Sequence, residues 1–94
     1  MGLTREGAEQ VAVQGLVFLA MEPARLSHFL SLTGLAPQQI REQAQAPQFL
    51  AAVLEHLLAD ESLLLAFAAN ASLSPSAVAP ALALLQQAFD GTSP

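Results

Sequence analysis

Cysteine, lysine, tyrosine and tryptophan are all missing from this 94-residue sequence. Without cysteine there is no disulfide, no thiolate nucleophile and no zinc–thiolate site. Without lysine the fixed positive charges are Arg5, Arg25 and Arg41, too few to neutralise a row of phosphates, so direct nucleic-acid binding is disfavoured. A formal charge of −5 also works against attachment to an anionic membrane surface, which recruits basic clusters beside an amphipathic helix. Long apolar runs are absent as well. The longest strictly apolar stretch, Leu63 to Ala69, falls far short of the ~20 residues a membrane-spanning helix needs. The opening "MGLTREGAEQVAVQGLVFLAMEPA" sets Arg5 beside Glu6 and Glu9 and is apolar only from Gly15 to Met21, which makes a poor signal peptide. Glu6 stands where a myristoylation signal calls for Ser or Thr. The expectation is a cytoplasmic protein.

What is present is helix material. The chain is 53% hydrophobic with five Phe as its only large aromatics, so its core must be built from Leu, Ala and Val, and at this length it forms one domain. No segment alternates with period two, so no sheet is expected. The spacing predicts an all-α fold of about six short helices in a compact bundle occupying residues 6–89, with residues 1–5 and 90–94 as flexible ends. The first helix runs from about Glu6 to Ala20. The second starts at Pro23 and stops at Thr33-Gly34, with Gly34 as a left-handed cap. "PQQIREQAQ" from Pro37 is a short polar third helix. Pro47 opens a fourth, whose Phe49, Leu50, Val53, Leu54, Leu57 and Leu58 form a wide apolar stripe opposite Gln48 and Glu55. The fifth covers about Glu61 to Asn70, and the sixth begins at Pro75 with Ser74 as N-cap and a kink or break at Pro80. The fourth and fifth helices are expected at the centre.

Sliding the chain against itself by 38 residues aligns "FLSLTGLAPQQI" with "FAANASLSPSAV". Phe29 meets Phe67, Leu35 meets Leu73, Pro37 meets Pro75, and further back Glu22 meets Asp60. Either the chain is two pseudo-repeats of a three-helix unit, or a Leu/Ala-rich helical sequence is echoing its own composition. On the first reading Leu35 and Leu73 are buried equivalents.

Chemistry-bearing residues are few. "VLEHLLADESLLLAFAA" sets Glu55, His56, Asp60 and Glu61 among leucines and alanines. Asp60 suits an N-cap and Glu61 suits the positive end of the following helix dipole. Unbroken helix would put His56 and Asp60 on one face, a pair usable for metal binding or proton transfer, but a metal wants three or four ligands and His28 is the only other histidine. Both histidines read as boundary residues beside apolar faces. None of Ser27, Ser31, Ser62, Ser72, Ser74 or Ser76 sits on a sharp glycine-flanked elbow, and five scattered glycines make no phosphate loop. No catalytic, cofactor-binding or metal site is assigned, and no enzyme is expected.

"LTGLAPQQIREQAQAPQFLAAVLEHLLADESLLLAFAA" (Leu32 to Ala69), preceded by "GLVFLAMEPARLSHFLS", resembles a family of small bacterial, mostly alphaproteobacterial, proteins known as DUF3572, a domain of unknown function. The likeness covers roughly residues 8 to 85, and "FLSLTGL-x-P" and "LLADESLLLAFA" are its most specific parts. The resemblance implies a small all-helical cytoplasmic protein and carries no activity with it. The functional expectation is a non-catalytic protein–protein interaction or regulatory module, alternatively a carrier of a small apolar or acyl ligand in a cavity between helices. Self-association as a homodimer is expected because the first helix is apolar almost all round and the fifth repeats the pattern. The competing account packs those two helices side by side inside the other four.

Overall fold

The structure, a computed structural model, describes residues 3–44 and 46–90. Six α-helices and one 3₁₀ turn follow in order: α1 (Arg5–Ala20), α2 (Pro23–Thr33), α3 (Pro37–Gln43), α4 (Pro47–Leu58), α5 (Glu61–Ala71), the 3₁₀ turn (Pro75–Ala77) and α6 (Val78–Asp90). No strand occurs among the described residues. The fold is all-α.

Short polar signals set the boundaries. The Thr4 hydroxyl accepts the Gly7 amide at 3.0 Å, so α1 opens at Arg5, one residue ahead of the expected Glu6. Proline stands at the start of α2, α3, α4 and the 3₁₀ turn, where its missing N–H leaves no helical bond unmade. Gly34 ends α2 at φ 75° and its amide donates to the Leu30 carbonyl at 2.8 Å. At α3 the Gln39 side chain reaches back to the Ala36 amide at 2.7 Å.

Two boundary expectations are corrected near the C-terminal end. Ser74 does not cap through its side chain; its hydroxyl pairs with the Ser76 hydroxyl at 2.8 Å instead. The break expected at Pro80 falls upstream of it. Residues 75–77 wind as a 3₁₀ turn with the Val78 amide bonded to the Pro75 carbonyl, and α-helix begins only at Val78. Pro80 is thereby the third residue of α6, in the first turn, where a missing donor is harmless. Of the tail expected over residues 90–94, Asp90 instead ends α6, and the residues from Gly91 onward lie outside the described residues.

The centre is α1, α4 and α6, which pack pairwise against one another, rather than α4 and α5 as expected. On α4 the predicted stripe is the core: Phe49, Leu50, Val53, Leu54 and Leu57 are buried, and Leu58 is partly so. α1 and α4 approach closely at Gly15, where an added Cβ would lie 2.9 Å from Leu57 Cδ1 and 3.1 Å from Val53 Cγ1. From α6, Val78, Ala81 and Leu85 close the core. α5 buries Phe67 and Ala68 and leaves Leu65 half exposed, because it lies along the edge of the central trio.

The 38-residue echo corresponds to matched local structure. Glu22 and Asp60 both hold N-cap positions, and Phe29 and Phe67 are both fully buried. Pro37 and Pro75 each open a helical turn, while Leu35 and Leu73 pack on the core only partly buried. Gly34 finds its counterpart in Ser72, which adopts φ 57°. The units diverge at their third helices, since α6 is central and α3 buries no residue.

Candidate functional site

α4 ends at Leu58, so His56 and Asp60 do not share a helix face. Asp60 caps α5 instead, with Oδ1 accepting the Leu63 amide at 3.2 Å, and Glu61 occupies the first turn at the positive end of the dipole. The interruption nonetheless leaves His56 and Asp60 beside the same surface pocket. This pocket, about 400 Å3 between α2, α4 and α5, is also lined by Arg25 and His28 from α2 and by Ser62 and Leu63 from α5.

The chain's two histidines, read as unrelated boundary residues, meet here. Their ring centroids are 5.7 Å apart at 51°, and Phe29 packs edge-on against His56 at 5.2 Å. Phe29 continues the cluster to Phe49 at 5.9 Å. Partial burial in this aromatic corner pushes the His56 pKa below its ordinary value near 6.5; the neighbouring His28 adds to the fall, and Asp60 opposes it without prevailing. No spacing within the sequence joins residues 28 and 56. Their encounter depends on α2 lying against α4, a tertiary fact that local periodicity does not encode.

Arg25 sits on the same wall. Its guanidinium carbon stands 4.6 Å over the Phe18 ring and its terminal nitrogen lies 3.7 Å from Glu22. Glu55, the residue before His56 on α4, is exposed and accepts a hydrogen bond from Gln86 at 3.1 Å. Ser62 shares the pocket, but among the described residues no hydrogen bond joins it to either imidazole. Among the described residues no group of three or more histidine or carboxylate side chains is placed to hold a metal ion.

A second surface lies on the outer side of α1. Val11, Gly15, Phe18 and Leu19 face inward, while Val13, Val17 and Met21, four residues apart, are 43%, 57% and 59% exposed. From Gln10 to Met21 the helix carries no charged residue. Beside this stripe an open groove of about 590 Å3 runs between α1 and the start of α4, lined by Glu6, Glu9, Gln10, Val13, Gln14 and Leu50 among others. Among the described residues no single helix is long and apolar enough to cross a membrane.

Neither the curated proteins nor the solved structures contain a match to this chain. A family model described as protein of unknown function (DUF3572) matches residues 5–88, the span from the first turn of α1 almost to the end of α6. The chain belongs to the DUF3572 family.

Proposed function

We propose that this protein is a non-catalytic interaction module of the cytoplasm that pairs with a second copy of itself through the outer face of α1. The observation that carries the reading is the exposed Val13–Val17–Met21 stripe within a charge-free segment. Isolated exposed apolar residues are ordinary, but three on consecutive turns of one helix are the apolar seam of a helix pair. Charge selects the occupant. Copies bearing −5 each repel, and the segment from Gln10 to Met21 is a place where they approach with no like charges opposed. A two-fold axis near Val17 then brings Val13 of one copy against Met21 of the other. The alternative, a carrier of a small apolar or acyl ligand, calls for an enclosed apolar cavity; both grooves described above open to solvent and have polar residues in their walls.

Light scattering coupled to size exclusion over a hundredfold concentration range tests the pairing. The expected result is a mass rising from one chain to two, and a Val17→Glu variant that stays at one chain with an unchanged circular dichroism spectrum. A parent protein that remains a single chain throughout would overturn self-pairing.

A further inference from the structure

We propose that the pocket between α2, α4 and α5 binds the oxyanion group of a small molecule, a carboxylate or a phosphate, between the Arg25 guanidinium and the imidazoles of His28 and His56. Arg5, Arg25, Arg41, His28 and His56 are the only side chains in the sequence able to carry positive charge, and three of the five line this one pocket. With Asp60 also in the lining, the pocket is formally neutral while both imidazoles are neutral and turns positive when one takes up a proton, in a chain of net charge −5.

Asp60 lines the pocket and bears on His56, but it and Glu55 on α4 already have partners. Asp60 is turned to the Leu63 amide, and Glu55 holds Gln86 on α6. Glu22 stands 3.7 Å from Arg25, beyond ordinary hydrogen-bond length, so the guanidinium keeps donors free for a ligand. Glu61, next along α5, is not among the lining residues. Stacking over Phe18 fixes the guanidinium plane, and the Phe29 edge fixes the His56 ring, so the donors are held in place before a ligand arrives. The Ser62 hydroxyl adds a donor, and Leu63 supplies an apolar wall for the rest of the molecule. A volume of about 400 Å3 suits a metabolite rather than a macromolecule. A metal ion is the less favoured occupant, because two imidazoles and a carboxylate already committed as a cap do not complete a ligand set.

Proton linkage supplies the signature. Burial and His28 keep His56 neutral to lower pH than usual, with only Asp60 opposing. A bound oxyanion adds its negative charge to that of Asp60 and raises the His56 midpoint, so binding takes up a proton and tightens as pH falls, approaching about tenfold per pH unit where a full proton is taken up.

The test is side-chain 1H–15N spectroscopy of the full chain from pH 5 to 8, following the His56 ring with its signals assigned by the His28→Asn variant. Inorganic phosphate, acetate, and sodium chloride at matched ionic strength are added separately. The expected result is an upward move of the His56 midpoint with phosphate or acetate and not with chloride; the salt that acts names the oxyanion class. Arg25→Gln, and independently His28→Asn at an exposed position, should each weaken the effective salt about tenfold or more. A midpoint unmoved by both oxyanions, or moved equally by chloride, or unaffected by both substitutions, overturns the proposal.

Discussion

Ser72 holds φ 57° with a Cβ attached, because α5 must end in a left-handed residue for the Leu73 amide to reach the Ala68 carbonyl at 2.8 Å. Glycine adopts that conformation without strain, so Ser72→Gly should stabilise the fold by roughly 0.5–1 kcal/mol even after its greater unfolded-state entropy is counted. Thermal denaturation checks it; a lower melting temperature would contradict the cap assignment. Gly34 was readable as a cap from its own identity, whereas Ser72 was not, since serine has no such preference; only its alignment with Gly34 at 38 residues carried the signal. Asp60 was equally readable because N-capping is a local property of a carboxylate before a free amide. His56 carries a residue-scale prediction of its own. Its pKa is lowered in the fold by burial first and by His28 second, so between its folded value and 6.5 the unfolded chain binds more protons. The stability tied to this group is therefore complete above about pH 6.5 and is lost as pH falls through 6.5 toward the folded value. His56→Gln should flatten that part of the profile of melting temperature against pH; an identical fall in the variant would place the sensitivity elsewhere.

Helices read from periodicity alone come out in the right places, but their ranking in the bundle does not follow from how apolar they are. α5 carries Leu63, Leu64, Leu65 and Phe67, yet it lies at the edge, while α6 with a proline in its first turn reaches the centre. The difference is geometric. α6 presents Val78, Ala81 and Leu85 as one clean stripe with a small residue in the middle, which lets it settle against both α1 and α4. On α5, Leu63 and Leu64 reach the core only in part beside Phe67 and Ala68, and Leu65 turns outward, so its apolar residues are spread around the helix and no neighbour covers them all. The α1–α4 contact depends equally on a small residue, Gly15, over Leu57 and Val53, whose side chains are fully buried and have nowhere to retreat. Gly15→Leu should push the two helices apart and destabilise by about 1–3 kcal/mol, despite the better helix propensity of leucine. Urea denaturation measures it. A gain in stability would mean that the α1–α4 seam tolerates widening and that its closeness is incidental.

At the scale of the whole molecule the chain is compact yet not fully covered. Its radius of gyration, 12.7 Å, is close to the ~12.4 Å expected for a domain of this length, so the single chain folds around its own core. Its accessible surface is 5688 Å2, against about 5200 Å2 for a typical monomer of this mass, in keeping with a 39 × 27 × 19 Å shape that is thin for its length. The exposed apolar surface includes the α1 stripe. Glu6 and Glu9 lie at its N-terminal end and Glu22 follows Met21 at the other, so parallel pairing would set each carboxylate against its own counterpart, whereas antiparallel pairing about Val17 would set none directly opposite another. Antiparallel pairing about Val17 makes a geometric prediction that the absence of native cysteine keeps clean. A Val17→Cys variant should form a disulfide-linked dimer under mild oxidation, because position 17 of one copy lies opposite position 17 of the other, whereas Leu32→Cys on α2 should remain monomeric on a non-reducing gel. Salt discriminates further. Two copies at −5 repel through a medium whose screening length is about 8 Å at physiological ionic strength, while the proposed seam would offer the charge-free stretch from Gln10 to Met21 with no ion pair for salt to weaken. Raising sodium chloride from 20 to about 500 mM should therefore strengthen dimerisation several-fold. Weakening by salt would mean that charged groups, and not the Val13–Val17–Met21 face, hold the copies together.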